Sequence, residues 1–320
     1  MRTYIIKRLI YSVIIAWGIL TITFILLRVG PTSPVDRYLL NIAARGQDIE
    51  SVKQAIEARY GLDKPIWEQY FAYLGNLLQG NWGWSFSTSM PVTDLIASHW
   101  IYSFQLIFLS TILAIIIGIG LGILSAVKQN TKFDYAASII SFIGISVPGF
   151  WLGLMLILVF GVQLHFFKTY YDTGYPIWSP ENLKQLMLPV LTLAIGSFAA
   201  YTRYTRSSML DNLRKEFVTT ARAKGLPERT VIGKHVLRNA MLPLVTIIMY
   251  DLGSIVFGGA YLTEIVFGIP GLGQVSFNAI FANDYAVVVA VTLIGTFMVL
   301  LINLLTDIIY TYLDPRIRYD

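Results

Sequence analysis

The sequence predicts an all-α membrane protein that crosses the bilayer six times, as its composition, its apolar stretches and the placement of its basic residues indicate. Hydrophobic residues make up 55% of the 320, and charged residues only 13%. Soluble domains carry roughly 25% charged residues, because their whole surface faces water. The mean hydropathy of +0.62 therefore indicates a chain whose surface is largely covered by lipid.

Six stretches are long and apolar enough to be transmembrane helices, which need about 20 mainly apolar residues. They are residues 9–29, 104–127, 135–164, 186–200, 242–262 and 285–309. The first stretch is predicted to be retained rather than cleaved. It is longer than the apolar region of a secretory signal, lacks a small-x-small cleavage site and ends at Arg28.

The distribution of basic residues predicts the orientation, since short cytoplasmic loops are enriched in Lys and Arg. With the N-terminus inside, 16 of the 24 lysines and arginines fall in cytoplasmic segments, nine of them between Arg203 and Arg238. The short outer loops contribute only Lys168 and Lys184. Both chain ends are therefore expected in the cytoplasm. The net charge of +5 follows from this topology and does not require a nucleic-acid partner.

Several kinds of chemistry are excluded or disfavoured by the residues present. The chain has no cysteine, which excludes disulfides, thiolate metal sites and a cysteine nucleophile. Its histidines, His99, His165 and His235, are too scattered for the i,i+4 zinc pair of one helix. A phosphate-binding loop needs G-x-x-x-x-G-K-[ST], and the string at Gly233-Lys234-His235 does not satisfy it. ATP hydrolysis by this chain is not expected, and neither a bound metal nor a cofactor is expected on it.

Three segments make up the predicted organisation: a first transmembrane helix (1–29), an extracytoplasmic insertion (30–103) and a five-helix core (104–320). In the outer insertion, apolar residues at 52, 56 and 60 recur at helical spacing before Gly61, a residue that often ends helices. Pro65 suits the first turn of a second helix, which Gly80 would end. Such amphipathic pieces could form a structural cap or a gate, and both readings stay open.

The core carries an inner insertion, at about 206–241, whose pattern predicts a docking site. A helix is predicted over 211–224, followed by a break at Gly225 and a new helix from Pro227. Small side chains on the first helix would allow another surface to approach closely; they are Thr219, Thr220, Ala221 and Ala223. Topology explains the basic charge of this segment but not its helix–glycine–helix shape.

A few polar or small residues within the spans are candidates for packing or transport. Asp251 lies near the middle of the fifth span, where a carboxylate costs about 2.5–3.5 kcal/mol. It could line the pathway or relay protons, but a hydrogen-bonded packing role is favoured. Asn303 and Asp307, one turn apart, are expected to join helices. Gly118 and Gly122 predict a close helix–helix contact.

Motifs along nearly the whole chain resemble, in order, the B-type permease of the dipeptide, oligopeptide and nickel family of ATP-binding-cassette importers. The matching residues and strings are Tyr60-Gly61-Leu62-Asp63-Lys64-Pro65, Tyr70, Gly80-Asn81-Trp82-Gly83-Trp84-Ser85, Ser146-Val147-Pro148-Gly149-Phe150, Arg203-Tyr204-Thr205-Arg206-Ser207-Ser208-Met209-Leu210, Thr220-Ala221-Arg222-Ala223-Lys224-Gly225-Leu226, His235, Arg238-Asn239, Leu242-Pro243, Glu264, Pro270-Gly271-Leu272-Gly273, Asp284, Asn303, Asp307 and Asp314-Pro315-Arg316-Ile317-Arg318. Departures occur at Thr219 and Thr220, where the general cassette-permease motif has Glu and Ala, and at Asn81, which replaces Asp.

The resemblance implies a type I importer permease fold and assigns the inner insertion to coupling with an ATPase. The implied coupling residues are Glu216, Thr219, Thr220, Ala221, Arg222, Ala223, Lys224, Gly225, Leu226 and Pro227. Of these, Ala221, Ala223 and Leu226 are expected to lie against the ATPase surface. The implied partners are a second homologous permease, two cytoplasmic subunits that bind ATP and Mg, and an extracytoplasmic solute-binding protein.

By the same resemblance, the setting is the cytoplasmic (inner) membrane of a prokaryote and the cargo is short peptides. Nickel or oligosaccharides are the alternative cargoes within this architecture. Two readings come from other classes. A membrane-embedded hydrolase would need a Ser or Asp with a His at membrane depth, and His165 lies at the outer edge of its span. A passive channel leaves the inner insertion unexplained.

Overall fold

The computed structural model describes residues 2–29, 54, 63–85, 87–257 and 260–313, and most of this part of the chain is helical. Its long helices are α1 (Arg2–Val29), α3 (Val92–Val127), α6 (Pro180–Leu213), α9 (Leu237–Phe257) and α12 (Tyr285–Leu313). Shorter helices are α2 (Ile66–Leu78), α4 (Lys132–Ser146), α5 (Gly149–Leu156), α7 (Glu216–Ala223), α8 (Glu228–Thr230), α10 (Tyr261–Phe267) and α11 (Leu272–Ala282). Single π-helical segments continue α5 (Ile157–Gln163) and join α8 to α9 (Val231–Val236).

The helices form the predicted multi-span bundle, although several spans are bent. Helices α3, α6 and α12 are each long and apolar enough to cross a bilayer. The third predicted span is bent by 101° between α4 and α5. Val147 adopts an extended conformation there (φ −83°, ψ 124°), because a proline disfavours the α region for the residue before it. Pro148 then starts the next helix and has no N–H of its own to leave unpaired.

Helices α3 and α6 form the centre of the bundle, and two glycines allow their close approach. A Cβ atom on Gly118 would lie 2.6 Å from the Cβ of Tyr201 and 2.8 Å from the carbonyl oxygen of Phe198. A Cβ on Gly122 would collide with Thr205. Neither position tolerates a side chain without moving the backbone of α6, which confirms the predicted small-residue contact.

The outer insertion ends earlier in the chain than predicted. Helix α3 begins at Val92, before the predicted boundary at residue 103, because Val92 and Leu95 are buried against outer parts of the chain such as Val275. A short antiparallel hairpin of β1 (Trp84–Ser85) and β2 (Met90–Pro91) leads into it. The second helix predicted for the outer insertion is present as α2. The first helix, expected around residues 52–60 with its stop at Gly61, lies outside the described residues.

Two further segments correct the prediction. The expected outer loop at 263–284 is a bent helical pair, because α10 and α11 meet at 91°. The expected continuous helix over 211–224 is broken, since α6 ends at Leu213 and Lys215 is extended (φ −80°, ψ 151°). This change of direction lets Val218 of α7 turn inward to full burial against the rest of the chain.

Candidate functional site

The inner insertion forms a compact turn between two helices, here called the coupling element (residues 216–227). Gly225 follows α7 with φ +75°, the left-handed conformation that glycine adopts without strain. Its N–H donates to the carbonyl of Arg222 (2.9 Å), and the N–H of Leu226 donates to the carbonyl of Ala221 (3.4 Å). These two bonds form the helix-ending Schellman motif. Pro227 caps the next helix, so the predicted stop and restart are both confirmed.

The coupling element presents most of its predicted contact residues to solvent. The exposed members are Glu216, Thr219, Thr220, Arg222, Ala223, Lys224, Gly225, Leu226 and Pro227. Ala221 is the exception, because only 5% of its surface is exposed. Ala221 is therefore not part of the exposed surface of the coupling element, and its expected contact with an ATPase stays a prediction. Its methyl group points into its own chain, on the face of α7 that also buries Val218.

An apolar cluster beneath the coupling element connects it to three predicted spans. Ala126 comes from the end of α3, Met209 from α6, and Val218 and Ala221 from α7. Val231, Val236 and Ala240, around the start of the fifth span, complete the cluster. Tightly packed interiors transmit displacement because they have few voids to absorb it. The coupling element is therefore packed directly against the inner ends of these spans.

An ion pair closes the turn on its exposed side. The Arg222 guanidinium donates to both oxygens of the Glu228 carboxylate, at 2.5 and 3.1 Å. This donation lowers the pKa of the Glu228 carboxyl below its ordinary value. Both side chains are about half exposed, so water screens the pair and it adds little to stability. The pair holds Arg222 across Gly225, whereas Lys224 extends outward from the same turn.

A second, buried ion pair lies at the same end of the bundle and was missed from the sequence. Asp134, in the first turn of α4, is 1% exposed and accepts two hydrogen bonds from Arg206 of α6 (2.6 and 2.8 Å). The Ser125 hydroxyl and the Asn130 N–H also donate to this carboxylate. Arg206 stands in one of the matching strings, but its pairing with Asp134, 72 positions away, has no local signal in the sequence.

Asp251 lies where α9 faces α6 and is hydrogen-bonded. The Tyr201 hydroxyl, on a side chain with no exposed surface, donates to its carboxylate at 2.5 Å. This contact is what a packing role requires, while a transport role stays a prediction. Asn303 and Asp307 lie one turn apart on α12. Asn303 is exposed, so its predicted role in joining helices would need a partner chain, and Asp307 is half-buried.

At the other end of the bundle, Glu264 organises the bent pair α10–α11. Its side chain is fully buried and accepts a 2.6 Å bond from the Ser103 hydroxyl and a 3.0 Å bond from the N–H of Gln274. Ser103 in turn accepts from the N–H of Leu272 (2.8 Å). Together they satisfy N–H groups at the start of α11, where a negative charge is favourable. A Cβ on Gly273 would lie 2.7 Å from the carboxylate, which explains glycine there.

Asp284 fastens the end of the outer insertion to the start of α12. One carboxylate oxygen accepts bonds from the Ser85 hydroxyl (2.6 Å), the Ser87 hydroxyl (2.8 Å) and the Ser87 N–H (3.0 Å). Helix α2 also packs on α1, since the rings of Tyr70 and Phe24 meet edge to face at 5.3 Å. The described part of the insertion is thus attached to the bundle at two places, which suits a cap; a gating role stays a prediction.

Two models of known protein families together match nearly the whole chain. A family model described as the inner membrane component of binding-protein-dependent transport systems matches residues 118–319. A second model, described as the N-terminal part of such membrane components, matches residues 1–106.

Individual relatives agree over their full length. The oligopeptide transport system permease protein AppB of Bacillus subtilis is 39% identical over 327 residues, which cover all of both chains. The glutathione transport system permease protein GsiC of Escherichia coli is 36% identical over 319 residues, again covering both chains completely. The dipeptide transport system permease protein DppB of Lactococcus lactis is 35% identical, covering 99% of this chain and 100% of its own.

A solved structure shares the fold at lower similarity. It is a chain of the methionine ABC transporter MetNI in an inward-facing conformation, with a TM-score of 0.55 and 20% sequence identity. The match covers 69% of this chain and 97% of the other. Together with the family models, this confirms a type I importer permease fold and the resemblance to B-type permeases. The chain belongs to the family of inner membrane components of binding-protein-dependent transport systems, and is a transport permease rather than an enzyme.

Proposed function

We propose that this chain is one of two non-identical permease subunits of an importer for short peptides in the cytoplasmic membrane of a prokaryote. In this proposal, an extracytoplasmic binding protein delivers the peptide. Two cytoplasmic subunits bind ATP and Mg and drive the transport cycle. The peptide cargo is supported by full-length relatives, which are named as permeases for oligopeptides, dipeptides and glutathione.

The observation that carries the proposal is the construction of the coupling element. Its exposed residues, such as Thr219, Ala223 and Leu226, form a surface with small side chains around one apolar residue, which is 37% exposed. Beneath this surface, Val218 and Ala221 are buried in the cluster shared by three spans. A partner that moves the surface would therefore move the spans. A passive channel has no need of such an element.

The proposed sequence of events follows from this arrangement. ATP binding brings the two ATPase subunits together, and each carries a coupling element with it. The displacement passes through the buried cluster to the inner ends of α3, α6 and the fifth span. The pathway between the two permeases then opens towards the binding protein, and hydrolysis resets it.

Cross-linking tests the proposed docking surface, since the chain has no native cysteine. Ala223→Cys should cross-link to a cytoplasmic ATPase subunit in membranes that contain the assembled complex. Lys168→Cys is the matched control, because Lys168 is also exposed but lies in a loop predicted to be outside. Equal cross-linking at both positions, or none at Ala223, would refute the docking assignment.

The cargo is tested by transport in proteoliposomes that contain both permeases, the ATPases and the binding protein. ATP-dependent uptake of labelled di- and tripeptides is expected. Uptake of nickel or an oligosaccharide without peptide uptake would show that the architecture is right and the cargo wrong.

A further inference from the structure

A cleft of about 850 Å³ runs along one side of α6, where α4 and α5 bend away from each other. Its lining mixes aromatic, hydroxyl and cationic side chains, including Phe142, Ser197, Arg203, Tyr204, Arg206 and Ser207. Cationic and hydroxyl side chains in a largely apolar cleft are unexpected on a surface that only meets lipid tails, because unpaired polar groups are costly there.

The two arginines of this cleft differ in their partners. Arg206 is neutralised by Asp134, through hydrogen bonds of 2.6 and 2.8 Å. No carboxylate within the described residues pairs with Arg203. Its guanidinium instead lies 4.7 Å from the centre of the Phe142 ring. One cation of the cleft is thus compensated by the protein, and the other is available to a ligand.

The position of Arg203 argues against a side chain that merely reaches for the headgroups of the inner leaflet. Phe142 follows Asp134 by eight residues on α4, so at about 1.5 Å per residue it lies roughly 12 Å further along the helix from the ion pair with Arg206. Side chains on a helix lean towards its N-terminus, and the N-terminus of α6 is at the predicted outer side. The Arg203 guanidinium therefore points into the cleft and away from the cytoplasmic headgroups. Ionisable groups beside membrane-spanning helices face a water-filled cavity or a partner.

We infer that this cleft is a segment of the transport pathway and that Arg203 binds a carboxylate of the cargo there. The inference rests on the proposed peptide-import function and extends it to a site on this chain. A guanidinium matches a carboxylate with two parallel N–H donors, and every unmodified peptide ends in a carboxylate. Tyr204 and Ser207 supply hydroxyls for peptide groups, and Phe142 supplies apolar surface. An uncompensated cation repels Ni²⁺ and gives a neutral sugar no matching charge.

Uptake by the complete importer in proteoliposomes tests the inference, with Arg203→Gln compared against the wild type. Two cargoes are used, a tripeptide with a free C-terminal carboxylate and the same tripeptide as its amide, both at saturating binding protein. Loss of a charge-assisted hydrogen bond predicts a decrease of about tenfold or more for the free acid. The uptake rate of the amide should differ by less than about twofold between Arg203→Gln and the wild type, whatever that rate is. Arg203→Lys should show more free-acid uptake than Arg203→Gln, because lysine keeps the positive charge but lacks the two parallel N–H donors of the guanidinium.

Arg214→Gln is the matched control, since Arg214 is an exposed arginine at the end of the same helix, and neither cargo should be affected. An equal decrease for acid and amide, or no decrease, would overturn the inference. A decrease that appears only in vesicles with anionic lipid, and not in purely zwitterionic ones, would also overturn it, because the guanidinium would then hold an anionic lipid headgroup and not the cargo. If the wild type imports no peptide at all, the proposed function itself fails; if it does and Arg203→Gln is normal, only this inference fails.

Discussion

Arg206 donates two hydrogen bonds to the two carboxylate oxygens of Asp134, which fasten α6 to the first turn of α4 close to the coupling element. The Asp134 side chain is 2% exposed, and that of Arg206 is 29% exposed. Arg206 lies less than one helical turn from Met209, a member of the cluster beneath α7. Displacement of the coupling element can therefore reach α4, which belongs to a span that contributes no residue to that cluster.

Removing one partner of this pair should destabilise the permease strongly. Arg206→Gln leaves a buried carboxylate without its counter-charge, a change that costs roughly 3 kcal/mol or more. The thermal midpoint of the purified complex should fall accordingly. The double variant Asp134→Asn with Arg206→Gln should recover much of the loss, since no buried charge remains. If the double variant is no more stable than Arg206→Gln alone, the burial of this pair is not what stabilises α4 against α6.

The exposed pair between Arg222 and Glu228 provides the contrast. Arg222→Gln should leave the thermal midpoint almost unchanged, because both side chains are about half exposed and screened by water. A large decrease in the midpoint would mean that the turn of the coupling element depends on this bridge.

Substitution of Gly225 should act through the backbone rather than through crowding. An added Cβ would meet no atom within 4 Å, but φ is +75°, where side chains other than those of Asn and Asp are strained. Gly225→Val should therefore distort the turn and reduce ATPase association and coupled uptake, while Gly225→Asn should retain most of both. Co-purified ATPase and peptide uptake measure the difference. Equal behaviour of the two variants would show that the left-handed turn is not needed.

Tryptophan at two neighbouring alanines should separate folding from docking. Ala221→Trp overfills the buried cluster, which typically costs about 1–3 kcal/mol and should lower the thermal midpoint of the complex. Ala223→Trp adds bulk to the exposed face, so the permease should assemble with its sister subunit but bind less ATPase. Arg214→Ala, outside the coupling element, should change neither property. Full ATPase binding by Ala223→Trp would contradict docking at this face.

The hydrogen bond between Tyr201 and Asp251 predicts different effects for its two partners. Asp251→Asn keeps an oxygen that can accept from the tyrosine, so complex assembly and most of the peptide uptake should persist. Tyr201→Phe removes the donor from a carboxylate inside the bundle and should reduce the yield of folded complex. Loss of uptake in Asp251→Asn with normal assembly would instead show that the carboxylate acts in transport.

The predicted orientation can be tested independently of transport. A reporter fused after Arg318 should report the cytoplasm, and Asp48→Cys should react with an impermeant reagent from outside. Labelling of the cysteine only after permeabilisation would contradict the topology.

Local chemistry explains what could be predicted from the sequence. Helices that cross a bilayer must be long and apolar, so the spans can be recognised in the sequence from their apolar composition. Gly225 and Pro227 govern their own dihedral angles, so the stop and restart of the coupling element can be read without its surroundings. The glycines at 118 and 122 likewise predict a close helix–helix contact, because they have no side chains.

Tertiary structure alone decided the features that depend on distant partners. Ser103 and Glu264 are 161 positions apart, yet their bond shapes the bent pair α10–α11 that was expected to be a loop. Nothing local marks the break at Lys215 or the inward direction of Ala221, because both follow from burial against α3, α6 and the fifth span. Local sequence determines which conformations a segment can adopt. Which face is buried, and which charges meet, depends on the free energy of contacts that exist only once the helices are packed.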